Sequence, residues 1–291
     1  MLYSVSHTTT YLYKDSVSLC HNLVHLRPRP VPRQVCHQSH ITVQPDPRGM
    51  QNQLDYFGNP ISLFTIKEPH RKLSIAAKHR VEVMTRDLPR LQDSPPWERV
   101  RDLMRSARAS ALLEPCSFGF DSNYIHRHAD LEAYAQPSFA PGTPLLEAVM
   151  HLTNRIHREF RYDAKATTLA TPLADVLQHR HGVCQDFAHL QIGCLRSLGL
   201  AARYVSGYLL TQPPAGHDRL IGADASHAWV SVFCPRFGWV DFDPTNNMIP
   251  AEEHITIAWG RDYDDISPVK GIILGGGTHA MTIGVEVTSI A

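Results

Sequence analysis

No apolar run in this chain approaches the roughly 20 residues of a membrane-spanning helix. Net charge is also absent: 28 basic side chains balance 28 acidic ones. That balance argues against nucleic acid or an anionic membrane as the main partner. No CxxC pair occurs. The six cysteines (Cys20, Cys36, Cys116, Cys184, Cys194 and Cys234) are scattered through 291 residues, so a disulfide scaffold is not expected and a reducing cytoplasm fits. The first residues, Met1 to His7, lack the basic-then-apolar pattern of a secretion signal, which adds to the expectation of a cytoplasmic protein. Internal repeats and low-complexity segments are missing too. Histidine, by contrast, is plentiful: eighteen residues whose protonation makes net charge climb steeply below about pH 6.5. Hydrophobic content of 43% over this length is ample for one large domain or two modest ones.

Residues 1–84 are written in strand language. Thr8 to Tyr13, Ser39 to Val43, Ile61 to Ile66 and Leu73 to Val83 are runs rich in β-branched and aromatic residues. Turn residues separate them, and Arg27-Pro28-Arg29-Pro30 is a loop that has no place in the middle of a sheet. A small antiparallel β domain is expected. Residues 85–144 read as a linker and a helical segment, with the stretch from Cys116 to Pro144 irregular. From 145 onward a helix carries Leu145, Val149, Leu152, Ile156 and Phe160 on one stripe. A short helix from Leu173 to Leu177 leads into a turn, and strands follow: Ala202 to Leu210, Ser226 to Phe233, Trp239 to Asp243, and a last one from Met281 after Gly275-Gly276-Gly277.

The turn His181-Gly182-Val183 delivers Cys184 to the start of a helix whose Phe187, Leu190, Leu195 and Leu198 recur at helical steps before Gly199 stops it. Unpaired backbone N–H groups and the positive end of the macrodipole stabilise a thiolate there, and thiolate is the nucleophile. A buried, inert cysteine is the competing account.

The hairpin that follows carries the groups such a thiol needs. With Cys234 to Arg236 as its loop, His227 faces Asp243; with Val232 to Arg236 as its loop, His227 faces Asp241. Either register keeps these side chains on one face. An imidazole takes the thiol proton, and a carboxylate fixes the imidazole tautomer and stabilises its cation. An exposed His–Asp pair on an ordinary hairpin is the bland alternative.

Three blocks, Gly182-Val183-Cys184-Gln185-Asp186-Phe187-Ala188, Ser226-His227-Ala228-Trp229-Val230 and Gly238-Trp239-Val240-Asp241-Phe242-Asp243-Pro244-Thr245, resemble those of the bacterial transglutaminase-like superfamily. The N-terminal 83 residues, with Arg27-Pro28-Arg29-Pro30 and Phe57-Gly58-Asn59, resemble the β region preceding that core. The resemblance implies an α+β fold: an N-terminal antiparallel β domain (1–84), a connecting segment (85–144) and a papain-like core (145–291) in which the cysteine helix packs on an antiparallel sheet. It implies Cys184 as nucleophile, His227 as base and, by position in Asp-Pro-Thr, Asp243 rather than Asp241 as orienting carboxylate. No cofactor is implied. The expected activity is thiol-dependent cleavage of an amide or peptide bond in a peptide or protein substrate, acyl transfer to a primary amine being the alternative and a non-catalytic peptide-binding module the alternative of another class.

Other residues invite competing readings. His126, His128, His179, His181 and His189 suggest zinc beside Cys184, but paired short spacings are lacking, a metal would occupy the nucleophile, and solvated or capping roles are expected instead. Asp186 in the first helical turn is expected to offset the dipole. Gln178 offers an amide to an oxyanion hole or is a surface residue, and Trp229 and Trp239 are read as packing residues.

Overall fold

The computed structural model describes residues 1–85, 87–106, 109–163, 171–211 and 225–290. The polar loop expected over 211–224 therefore lies, after Thr211, outside the described residues. Five strands open the chain: β1 (Leu2–Val24), β2 (Gln34–Gln44), β3 (Met50–Leu54), β4 (Pro60–Ile66) and β5 (His70–Val83). Along β1, buried Tyr3, Val5, His7 and Thr9 alternate with more exposed neighbours, the period-two pattern of a strand with one covered face. Short helices follow, α1 (Trp97–Arg105), α2 (Leu113–Ser117) and α3 (Ala129–Ala135), the last within the stretch read as irregular, which α2 only enters. Next come α4 (Leu145–Glu159), β6 (Arg161–Tyr162), α5 (Leu173–His179), β7 (His181–Gly182) and α6 (Cys184–Ser197). The chain ends in six strands: β8 (Ala202–Leu209), β9 (His227–Cys234), β10 (Gly238–Phe242), β11 (His254–Gly260), β12 (Val269–Gly275) and β13 (His279–Ile290).

Both sheets that matter are antiparallel. The N-terminal one runs β2-β5-β1-β4-β3, and β12 and β13 also pair with β1. Leu2 of β1 lies opposite Ile290 and Tyr13 opposite His279. Residues 269–290, placed with the catalytic segment on sequence, thus hydrogen-bond into the N-terminal sheet, because β1 is long enough to accept partners along both edges.

The second sheet, β10-β9-β8-β11, packs α6 against β8 and β9. Ala202, Tyr204, Ala228, Val230 and Val232 of those strands share one core with Phe187, Ala188, Leu190 and Leu195 of α6. Strand β11 is an edge, and side-chain amides of the N-terminal domain cover it. Gln34 donates Nε2–H to Thr256 O (2.7 Å) and accepts Thr256 N–H (2.8 Å). Asn59 does the same to Trp259, at 2.8 Å and 3.0 Å. Two backbone positions that would otherwise be exposed at an edge are paired this way, locking the domains together. Arg29, from the proline-flanked loop, donates to Asn59 Oδ1 (2.7 Å) and stacks on the Trp259 ring.

Candidate active site

Cys184 is the first residue of α6, as the sequence pattern predicts, and it is buried. Val183 at the N-cap offers no side-chain acceptor; instead Asp186 Oδ2 accepts the Val183 N–H at 2.8 Å. Asp186 therefore anchors the turn as well as opposing the dipole. Gly182 has to be glycine: a Cβ there would stand 2.7 Å from Asp186 Oδ2 and 2.8 Å from its Cβ. Cys184 N–H belongs to the first turn, where no intrahelical acceptor exists, so it is free to donate to a bound oxygen.

His227 is the first residue of β9 and is buried. Opposite it on β8 lies Gly207, where a Cβ would come within 2.1 Å of Ile255 O, so the strands close tightly only around a glycine. The hairpin register differs from both expected ones. Cys234 pairs with Gly238, so Asp241 faces Ser231, and Asp243, just past the end of β10, is diagonal to His227 rather than opposite. The shift is by two residues from the first register and four from the second, an even number that preserves the face.

Geometry separates the two aspartates. His227 Nε2 and Asp243 Oδ2 are 2.8 Å apart, both side chains inaccessible to solvent. Asp241 instead pairs with Arg33 of the N-terminal domain at 3.3 Å. Asp243 leads into a turn closed by its N–H to Met248 O at 2.8 Å. Its Oδ1 accepts the N–H groups of Thr245 (2.9 Å) and Asn246 (3.1 Å). Its Oδ2 accepts Asn246 Nδ2 (2.8 Å) and His254 Nε2 (3.1 Å) as well as His227. Aspartate followed by proline favours such a turn, whose amides fold back on the carboxylate.

Burial alone would push the Asp243 carboxyl up, but His227 and His254 hold it well below the ordinary carboxylate range. Burial likewise pulls the His227 imidazole down; Asp243, and then the Cys184 thiol, more than reverse this and raise it above the ordinary histidine value. With Nε2 committed to Asp243, the buried Nδ1 of His227 has no hydrogen-bond partner among the described residues and is the nitrogen available to the thiol. His254 is dominated by burial, which lowers its pKa and keeps it neutral. Trp229 packs both imidazoles, stacked on His227 at 6.1 Å between centroids and edge-on to His254 at 5.2 Å.

His254 is absent from the sequence-based site. Its only local signal is a histidine at the head of an apolar run, which many core histidines share. His227, Asp243 and His254 also have the residue types of a metal site, with donor atoms within 4.8 Å of one another. Both imidazoles, however, direct Nε2 at the same carboxylate oxygen at hydrogen-bond separations. A metal would have to displace both protons.

The remaining candidates are placed elsewhere. His189 is neither solvated nor capping: it is buried, stacked on Tyr124, and accepts Tyr263 N–H at 3.2 Å. His128 caps α3 by accepting Asp130 N–H at 3.2 Å. Gln178 is exposed on α5 and lines a separate cavity with Asn123 and Leu131.

The chain matches the profile of the bacterial transglutaminase-like N-terminal region over residues 3–82 and that of the transglutaminase-like superfamily over residues 132–244. An uncharacterized protein of Mycobacterium tuberculosis is 42% identical over 281 residues, covering 93% of this chain and 87% of that protein. A protein-glutamine gamma-glutamyltransferase of Pseudomonas aeruginosa is 32% identical over 122 residues, 41% of this chain and 17% of that enzyme. The crystal structure of a candidate cysteine protease from Cytophaga hutchinsonii shares the fold: TM-score 0.77 at 22% identity, over 100% of this chain and 91% of that one. Members of the superfamily are typically enzymes, proteases or transglutaminases. This chain belongs to the transglutaminase-like superfamily, its core preceded by the bacterial transglutaminase-like N-terminal region.

Proposed function

We propose that the protein cleaves an amide or peptide bond of a peptide or protein substrate through a thioester on Cys184. What carries the reading is the buried 2.8 Å contact of His227 Nε2 with Asp243 Oδ2, which leaves Nδ1 to the thiol. His227 takes the Sγ proton as sulfur attacks the carbonyl carbon. The oxyanion forms within reach of the Cys184 N–H, where the first helical turn supplies positive potential. As the C–N bond breaks, His227 returns the proton to the departing nitrogen and an amine or ammonia leaves. Water, deprotonated by His227, then attacks the thioester, releasing a carboxylic acid and the free thiol.

Transfer to a primary amine is the second reading, favoured by the local match to the Pseudomonas aeruginosa transferase. It requires positioning an amine against water present at about 55 M, a large demand on effective molarity. Water needs no such positioning. The test is a glutamine-containing peptide incubated with and without millimolar primary amine and followed by mass. Free acid or backbone cleavage supports hydrolysis, and an acyl-Cys184 adduct trapped by acid quench supports the thioester. A product dominated by the amine adduct overturns hydrolysis in favour of transfer; no reaction with any member of a peptide library, while Cys184 stays unacylated, overturns both.

A further inference from the structure

A cavity of about 780 Å³ lies on the face of the four-stranded sheet turned away from α6, closed on its other side by the N-terminal domain. Arg203 and Val205 of β8 line it, alternating with the core residues Ala202 and Tyr204 that face the helix. Opposite them stand Val31, Pro32, Arg33 and Met84. The cavity shares strands with the catalytic cluster, since Asp241 and Thr256 in its wall are each two residues from Asp243 and His254.

Arg203 is the unusual group. Its guanidinium carbon sits 4.1 Å from the Trp239 ring centroid and 3.7 Å from that of Trp259. Arg29 stacks on Trp259 at 3.5 Å, so that indole lies between two guanidinium groups. With its side chain only 7% exposed, Arg203 makes no hydrogen bond among the described residues. A terminal nitrogen forms a long ion pair with Glu114 at 3.7 Å, and Nε is buried without a hydrogen-bond partner among the described residues. The stacking satisfies the flat faces of the cation, while its N–H donors lie in the plane between the rings, where Arg203 lines the cavity. Burying such donors without an acceptor is costly, and native proteins rarely do it.

We propose that this cavity is a binding site for an organic monocarboxylate with an apolar body, its oxygens received by the terminal nitrogens of Arg203. The planar fork matches a carboxylate in a way that an ammonium does not. Val31, Pro32, Met84 and Phe237 offer apolar wall to the rest of the molecule. Asp241 and Glu114 beside the site disfavour a dianion such as phosphate. Burial brings Arg203 down to about 9, Asp241 and Glu114 offsetting only part of it.

N-acetylphenylalanine is the probe, with its amide as the neutral analogue and inorganic phosphate as the dianion. Binding is followed calorimetrically and by the fluorescence of Trp239 and Trp259. The acid should bind saturably, at least about tenfold tighter than the amide, as a charge-assisted bond implies. Arg203→Met should lose that preference. Glu114→Gln, an exposed change with little bearing on folding, should tighten acid binding severalfold by removing a competing carboxylate; it decides the matter should the Arg203 variant not fold. Cys184→Ala should bind the acid as the wild type does. Equal affinity for acid and amide, no saturable binding, a preference for phosphate, or loss of binding in Cys184→Ala would each overturn the assignment.

Discussion

His254 and His227 present Nε2 to the same oxygen of Asp243, at 3.1 Å and 2.8 Å, from two strands on either side of β8. The carboxylate is thereby fixed from two directions, and the imidazole proposed as the base is aimed with help from a residue outside the proposed Cys–His–Asp set. On the proposed mechanism His254 acts as a positioning residue, so its loss should be felt through His227. His254→Leu is expected to lower kcat by up to about 100-fold through misplacement of that ring, with a smaller change in KM. It should also move the pH profile, since Asp243 loses a donor that stabilises its charge. His254→Gln, which keeps an N–H donor, should restore much of the rate. A rate unchanged in His254→Leu, or a loss that His254→Gln does not recover, would reduce His254 to packing.

The two hairpin aspartates make a sharper comparison. Asp243→Asn keeps an oxygen for the Thr245 and Asn246 amides but turns an NH2 toward His227, so the wrong tautomer results and activity should fall by about 10³- to 10⁴-fold. Asp241→Asn weakens only the contact with Arg33 and should cost far less. Steady-state rates on any turned-over peptide decide it. The reverse ranking would mean that the register places Asp241 on the imidazole.

Local chemistry made Cys184, His227 and Asp243 legible. A helix start, a strand start and an Asp-Pro turn are each written in a few adjacent residues, and face parity survives a register error of two. Pairings set by distant chain segments were not legible. Strand β13 reads as a strand from its alternation, yet nothing in Met281 to Ser289 says that its partner is β1. His254 reaches Asp243 only once β11 has paired with β8, and Gln34 and Asn59, some 200 residues away, cover the other edge of β11. For the same reason Arg203 looks like an ordinary strand residue until two tryptophans from other strands close on it.

Gly182 offers a test of how the nucleophile is held. Gly182→Ala forces Asp186 off the Val183 N–H, since its Cβ would fall inside the space of that side chain. Losing one cap should cost about 1 kcal/mol of stability. The rate should suffer more than the fold, because the displaced turn carries Cys184 with it. Thermal melts alongside kcat measure both; a variant that loses stability but keeps its rate would show that the turn does not position the thiol.

Alkylation should single out Cys184. Burial raises the pKa of Cys20, Cys36, Cys116 and Cys194, so those thiols should react slowly near neutral pH. Iodoacetamide followed by peptide mapping should therefore label Cys184 first, and His227→Ala should abolish that lead. Labelling of Cys184 no faster than Cys20 or Cys36 would argue against an activated thiol.

Acid stability should be governed by buried histidines, most of them remote from the candidate site. Burial pushes His7 and His79 down to about 4 and His189 to about 3, and it lowers His254 too. In the unfolded chain each titrates near 6.5. Between about pH 6.5 and pH 4 the unfolded state thus binds protons that the folded state refuses, and stability falls as pH drops. Asp243, with its lowered pKa, adds a further loss below about pH 3.9. His227 acts in the opposite sense: its raised pKa contributes fully below about pH 6.5 and fades only as the pH climbs through the folded value. His79 isolates the effect, because it is buried in the N-terminal sheet and burial outweighs a backbone contact with Leu26 in setting its pKa. A shift from 6.5 to about 4 corresponds to about 3 kcal/mol across that window. His79→Leu should therefore flatten the dependence of unfolding free energy on pH by about one proton between pH 6.5 and 4.5, measured by urea titration at each pH. An unchanged slope would place the acid sensitivity elsewhere in the chain.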